Sequence, residues 1–121
     1  MPKKDNVRDY VVSMFRYYSA LGQPNSEQIN NLRTQISTAA ILDLIAVDNT
    51  LRLLKSKRKE NIICAIENIY FIEPNRNLRK NEISQRVIKF SIENYTSEQT
   101  IWLWLKKARR ICAEQRNLNI N

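Results

Sequence analysis

Glycine occurs once in this chain of 121 residues, at Gly22, and proline three times, at Pro2, Pro24 and Pro74. An all-β fold needs turn residues about every ten positions, so this scarcity excludes a sandwich or barrel and leaves helices. Histidine is absent. The chain therefore offers no imidazole base, and its two cysteines, Cys64 and Cys112, cannot hold zinc alone. There is no glycine-rich phosphate loop and no carboxylate cluster at metal-binding spacing, so neither an enzyme nor a cofactor site is expected. Long apolar runs are missing too. The best, TAAILDLIAV, is broken by Asp43 and followed by Asp48, short of the roughly 18 apolar residues that span a bilayer. The opening MPKKDNVRDY carries no apolar core of signal-peptide length. These absences lead to the expectation of a soluble, cytoplasmic protein with reduced thiols and no membrane partner.

What the sequence does contain is positive charge and helical periodicity. Lysine and arginine number 20 against 12 aspartates and glutamates, a net charge of +8. The excess is spread evenly, since residues 1–60 and residues 61–121 each hold 10 basic and 6 acidic groups. A surplus of this size in one small domain favours a polyanionic partner over simple solubility. The expected fold is all-α, a small domain of about five helices ending in a C-terminal helix-turn-helix. Residues 1–60 would form a support or oligomerisation surface and residues 61–121 the DNA-binding part, the two folded as one unit.

Val11, Met14, Phe15 and Tyr18 recur at i, i+3, i+4 and i+7. This spacing predicts a first helix from about Val7 to Leu21, capped by Asp5 or Asn6 and stopped by LGQPN. A longer helical region starts at Asn25 or Ser26, with Ile29, Leu32, Ile36, Ala40, Val47, Leu51 and Leu54 as its buried stripe. No glycine or proline interrupts residues 25–73, an interval too long for one helix in a domain of this size. The charged cluster KSKRKEN, Lys55 to Asn61, is the expected break, before Ile62, Ala65, Ile66 and Ile69 resume the pattern. Pro74 and the asparagines of IEPNRNL then predict a loop.

From Lys80 onward the chain reads KNEISQRVIKFSIEN, a short NYTS break, then SEQTIWLWLKKARRICAEQR. Two amphipathic helices joined by a tight turn are the sequence form of a helix-turn-helix. In the first, Ile83, Val87 and Phe90 share one face while Ile88 and Ile92 point elsewhere, which predicts a packing helix enclosed on more than one side. Asn94 is the expected left-handed closing residue. Thr96 or Ser97 caps the next helix, with Gln99 completing a capping box if the cap is Thr96. At about 100° per residue, Ile101, Trp104, Leu105, Ala108 and Cys112 fall on one side of that helix and Gln99, Leu103, Lys106 and Arg110 on the other. Trp102 and Arg109 flank the outer face on one edge and Lys107 on the opposite one.

Glutamine pairs with adenine, lysine and arginine with guanine, and apolar groups with the thymine methyl. Gln99, Trp102, Leu103 and Lys106 are therefore candidate base readers in the major groove of double-stranded DNA. Ser97 and the helix N-terminal amides, with Lys107, Arg109 and Arg110, suit phosphates, and Thr100 in the first turn completes the set. Arg79 and Lys80, like Arg76 in the same loop, either clamp the DNA backbone or stand free in solvent. The Lys55 to Lys59 cluster reads as a solvated helix end. The KKARR run discriminates little, because the helix dipole favours cations at a C-terminus in any protein. Trp102 and Leu103 together on an outer face are the stronger signal, since large apolar groups there meet a partner or are covered by the fold.

The run AIENIYFIEPNRNLRK, with ISQRVIKFSIEN and SEQTIWLWLKKARRICAEQR after it, resembles small phage-encoded transcription activators of Gram-positive hosts, the late-gene regulators of the RinA and ArpU groups. The resemblance extends over roughly Ile45 to Leu118, with a fainter echo in YVVSMFRYYSAL. SEQTIWLWLKKARR is more distantly similar to region four of bacterial sigma factors. There a capping serine, an aliphatic residue, a leucine and an alanine hold the recognition helix, and Ser97, Ile101, Leu105 and Ala108 occupy those positions. Trp102 and Trp104 depart from that pattern, where small or basic residues are usual. The resemblance implies a DNA-binding activator of phage late genes that works near a promoter in a bacterial host cell and touches host RNA polymerase. Two rival expectations stand beside it: a small terminase-like DNA-packaging protein, which would form a large ring, and a protein interaction module that buries Trp102 and Leu103.

Overall fold

The computed structural model describes residues 6–118. Six helices follow one another: α1 (Asn6–Ala20), α2 (Ser26–Asn31), α3 (Thr38–Ser56), α4 (Glu60–Ile69), α5 (Glu82–Glu93) and α6 (Glu98–Gln115). Among the described residues there is no strand. Asp5, one of the two expected caps of α1, lies outside the described residues. The break expected within KSKRKEN is present, with α3 ending at Ser56 and α4 starting at Glu60. A second break was not expected. The chain leaves α2 at Leu32 and re-enters helix only after Ser37, whose side chain accepts from the amide of Ala40 at 3.1 Å. Thr34, Ile36 and Ser37 have only middling helix propensity, and a serine cap ends the interruption without any glycine or proline to announce it.

All six helices share one core. Val11, Met14, Phe15 and Tyr18 of α1 are buried together with Leu44 and Val47 of α3, Ile66 and Ile69 of α4, and Ile101 and Leu105 of α6. Phe15 stacks on Tyr70 with ring centroids 5.4 Å apart. Of the expected α2–α3 stripe, Ile29, Val47 and Leu54 are buried, whereas Leu32, Ile36, Ala40 and Leu51 are half-buried. Each fully buried aliphatic side chain contributes about 1.5–3 kcal/mol. The central element is α6, which packs against α1, α3, α4 and α5. The enclosure expected for α5 on more than one side is absent. Ile88 is 43% and Ile92 70% exposed, so this helix is covered only by α4 and α6 and its other side meets solvent.

Three helices close with the same pair of hydrogen bonds and a fourth, α5, with one bond of that pair, and only one of the four uses the chain's single glycine. After α1 the amides of Gly22 and Gln23 return to the carbonyls of Ser19 and Tyr18. After α3, Arg58 and Lys59 return to Lys55 and Leu54; after α6, Asn117 and Leu118 return to Glu114 and Ala113; after α5, Thr96 returns to Ser91. The first three are Schellman closures and the last keeps the longer of the two bonds, a geometry that needs a left-handed residue. It is supplied by Gly22 (φ 82°), Arg58 (φ 56°), Asn117 (φ 59°) and Tyr95 (φ 51°). Asn94 was the residue expected to do this after α5, but it sits at φ −111° and Tyr95 turns left-handed instead.

Two polar ties hold the helices in register. Arg16 reaches from α1 into the loop after α4, where Nη1 donates to the carbonyls of Tyr70 and Ile72 at 3.1 Å each. Its Nη2 donates to those of Glu73 at 2.8 Å and Arg76 at 2.6 Å. At the other end, the Asp43 carboxylate of α3 accepts from the Tyr10 hydroxyl at 2.8 Å and from Arg116 Nε at 2.8 Å. The start of α1 is thereby joined to the end of α6.

Candidate nucleic-acid interface

The two C-terminal helices are joined by Asn94, Tyr95, Thr96 and Ser97. Ser97 is the cap: its Oγ accepts from the Thr100 amide at 3.1 Å and donates to the Thr100 hydroxyl at 2.8 Å. Thr96 instead donates to the Asn94 carbonyl at 3.0 Å. With Ser97 as the cap, Gln99 has no capping box to close and stands exposed on the first turn of α6. The remaining first-turn amides of α6 carry the positive end of the helix dipole, which attracts an anion.

The apolar side of α6 is sealed into the core: Ile101, Leu105, Ala108 and Cys112 have no exposed surface. Trp104, expected on the same side, is half-buried. Fixing that side turns Gln99, Leu103, Lys106 and Arg110 outward, all exposed, with Lys107 beside them. Leu103 alone keeps 60% of its surface in solvent. Lys106, Lys107 and Arg110 take part in none of the ion pairs among the described residues, which all use arginines elsewhere. Arg79 and Lys80 are exposed in the loop before α5, on a different element from this strip. The Arg79 side chain forms no ion pair among those residues, although its amide donates to Glu82 at 2.8 Å.

No family model, no curated protein and no solved structure matches this chain. The chemistry of the surface has to be read from its own residues.

Three of the expected residues are placed differently from the sequence reading. Arg109 does not lie open for phosphate: it is half-buried and its Nη1 donates to the Tyr70 hydroxyl at 2.9 Å. Trp102 is 38% exposed and faces a cleft shared with Arg109 and α1. Arg76 is not free in solvent, because it is paired with Glu73 at 2.7 Å and with Glu82. The helical projection put Trp102 and Arg109 on the rim of the outer face, and the rim is where α1 closes over α6.

Glu82 was missed by the sequence reading. Its carboxylate accepts from Arg76 Nη1 at 3.0 Å, the Arg79 amide at 2.8 Å and Arg86 Nη2 at 2.6 Å. Arg76 first, then the Arg79 amide and Arg86, hold this carboxyl well below the usual range. The available signal was the Glu82–Arg86 spacing of four on a helix. The cleft was also missed. It measures about 980 Å³ and opens between α1, the loop around Pro74 and Leu78, Ile83 of α5, and Trp102 and Arg109 of α6. No local pattern could have announced it, since its walls are 90 or so residues apart in sequence and meet only through packing.

Proposed function

We propose that the protein binds double-stranded DNA sequence-specifically through the outer face of α6, as a transcription regulator. The observation that carries this reading is the exposed strip Gln99, Leu103, Lys106 and Arg110, held outward by the fully buried Ile101, Leu105 and Ala108 behind it. Gln99, Leu103 and Lys106 present the adenine, thymine-methyl and guanine contacts of a major-groove reader. Lys107, Arg110 and the α6 N-terminus supply phosphate contacts, assisted by Arg79 and Lys80. The role as an activator of phage late genes, working near a promoter and touching host RNA polymerase, rests on the resemblance alone.

Selection of bound duplexes from a random pool, followed by mobility shifts at rising salt, tests the reading. The expected result is a defined preferred sequence and an affinity that falls steeply with salt, log K changing by about 0.9 per log unit for each phosphate engaged. Lys106→Ala is expected to relax preference at one base pair by about 1–3 kcal/mol. Lys107→Ala is expected to weaken all sequences alike and to lower the salt slope by about 1. Binding with no preference over random DNA would overturn the regulator reading.

A second reading is favoured by one observation. Tyr95 is 97% and Ile92 70% exposed, near the turn that leads into α6. Apolar groups on this scale also suit a protein partner. Salt-insensitive behaviour with no DNA binding, and pull-down of one defined protein lost in Ile92→Lys, would favour an interaction module.

A further inference from the structure

The cleft between α1 and α6 has the dimensions and lining of a small-molecule site. Its volume of about 980 Å³ lies at the upper end of the roughly 300–1,000 Å³ that ligand pockets occupy. Val12, Leu78 and Ile83 give it apolar walls, and Tyr17 and Trp102 give it aromatic ones. The walls are braced from behind. Arg16 spends both terminal nitrogens on four backbone carbonyls of the adjoining loop, and Arg76 is held by Glu73, Glu82 and the Asn77 carbonyl.

Arg109 is different. One of its five N–H groups is used, on the Tyr70 hydroxyl, and no acidic group pairs with it among the described residues. The charged residues lining the cleft are Arg8, Asp9, Arg16, Arg76 and Arg109. Asp9 offsets Arg8 at 3.4 Å and Glu73 and Glu82 offset Arg76, so the positive field inside comes from Arg16 and Arg109. A planar guanidinium with open donors beside an aromatic and apolar wall selects one chemical class.

We propose that this cleft binds a small amphipathic organic anion, with an aromatic or aliphatic body against Tyr17, Trp102 and Ile83 and one carboxylate, sulfonate or phosphate group on Arg109. None of Gln99, Leu103, Lys106, Lys107 and Arg110 lines this site, and it does not depend on DNA binding.

The test uses anilinonaphthalene sulfonate, an aromatic sulfonate, and its neutral analogue phenylnaphthylamine, with the full chain at neutral pH. Titration is expected to give saturable, one-to-one binding with energy transfer from tryptophan, lost in Trp102→Phe relative to Trp104→Phe. Arg109→Gln is expected to weaken the sulfonate about tenfold or more and to leave the neutral analogue unchanged, since only a charge-assisted contact is removed. Val12→Trp fills the cleft and is expected to abolish both. Circular dichroism and the urea midpoint of each variant establish that it is folded, and Arg109→Lys, which retains charge without the fork, is expected to restore part of the affinity. Absence of saturable binding by the folded wild type would overturn the proposal. So would several dyes per chain, or sulfonate affinity indifferent to both Arg109→Gln and Val12→Trp.

Discussion

Arg16 donates to the carbonyls of Tyr70, Ile72, Glu73 and Arg76 while lying only 8% exposed. A lysine has three donors on one nitrogen and cannot reach acceptors spread along a loop as a planar fork does. Arg16→Lys is expected to lower stability by about 2 kcal/mol, because buried and part-buried carbonyls lose their donor; urea unfolding checks it. Cys112 gives a second prediction at this scale. Burial pushes its thiol from 9.0 up to about 12, so the fold favours the protonated form. Its stabilising effect is complete below pH 9 and is lost as pH rises toward 12, at about 1.4 kcal/mol per pH unit. Burial likewise pushes Tyr18 up to about 12, adding its share above pH 10. Urea midpoints measured from pH 7 to 10 are expected to fall above pH 9 in the wild type and to stay flatter in Cys112→Ala.

The elements show which signals the sequence carried and which it did not. Among the described residues, two of the three helix starts capped by a side-chain acceptor were legible to within one residue, Asn25, which closes a reciprocal box with Gln28 at α2, and Ser97 at α6, whereas Ser37 at α3 was not. The buried stripes of α1 and α6 were legible for the same reason, since each is set by spacing along one helix. The Leu32–Ser37 interruption was not, because residues of middling propensity leave the decision to tertiary packing. Nor was the exposure of Ile88 and Ile92, as periodicity says which residues share a face but not whether anything covers it. The left-handed closures follow from glycine scarcity, and they have an energetic consequence. Tyr95 is 97% exposed at φ 51°, where its side chain gains little and its Cβ is strained. Tyr95→Gly is expected to stabilise the fold by about 1 kcal/mol, read as a higher thermal midpoint. Ser97→Ala is expected to cost about 1 kcal/mol and to speed amide exchange in the first turn of α6.

At the scale of the whole molecule the charge of +8 is unevenly used. Five arginines, Arg8, Arg52, Arg76, Arg86 and Arg116, are in ion pairs, whereas Lys106, Lys107 and Arg110 stand together on the outside of one helix. That division could not be seen from composition, in which both halves of the chain are equally basic. Neither could the cleft, which exists only because α1 lies over α6.

The position of α6 among four other helices also bears on how the protein is made. A ribosome delivers the N-terminus first, at about 5–20 residues per second, so α1, α3 and α4 emerge with their apolar stripes uncovered for several seconds. The segment they close around is translated after them. Closing the core therefore waits until α6 has emerged, and during that interval the nascent chain is a natural client for chaperones that shield apolar surface.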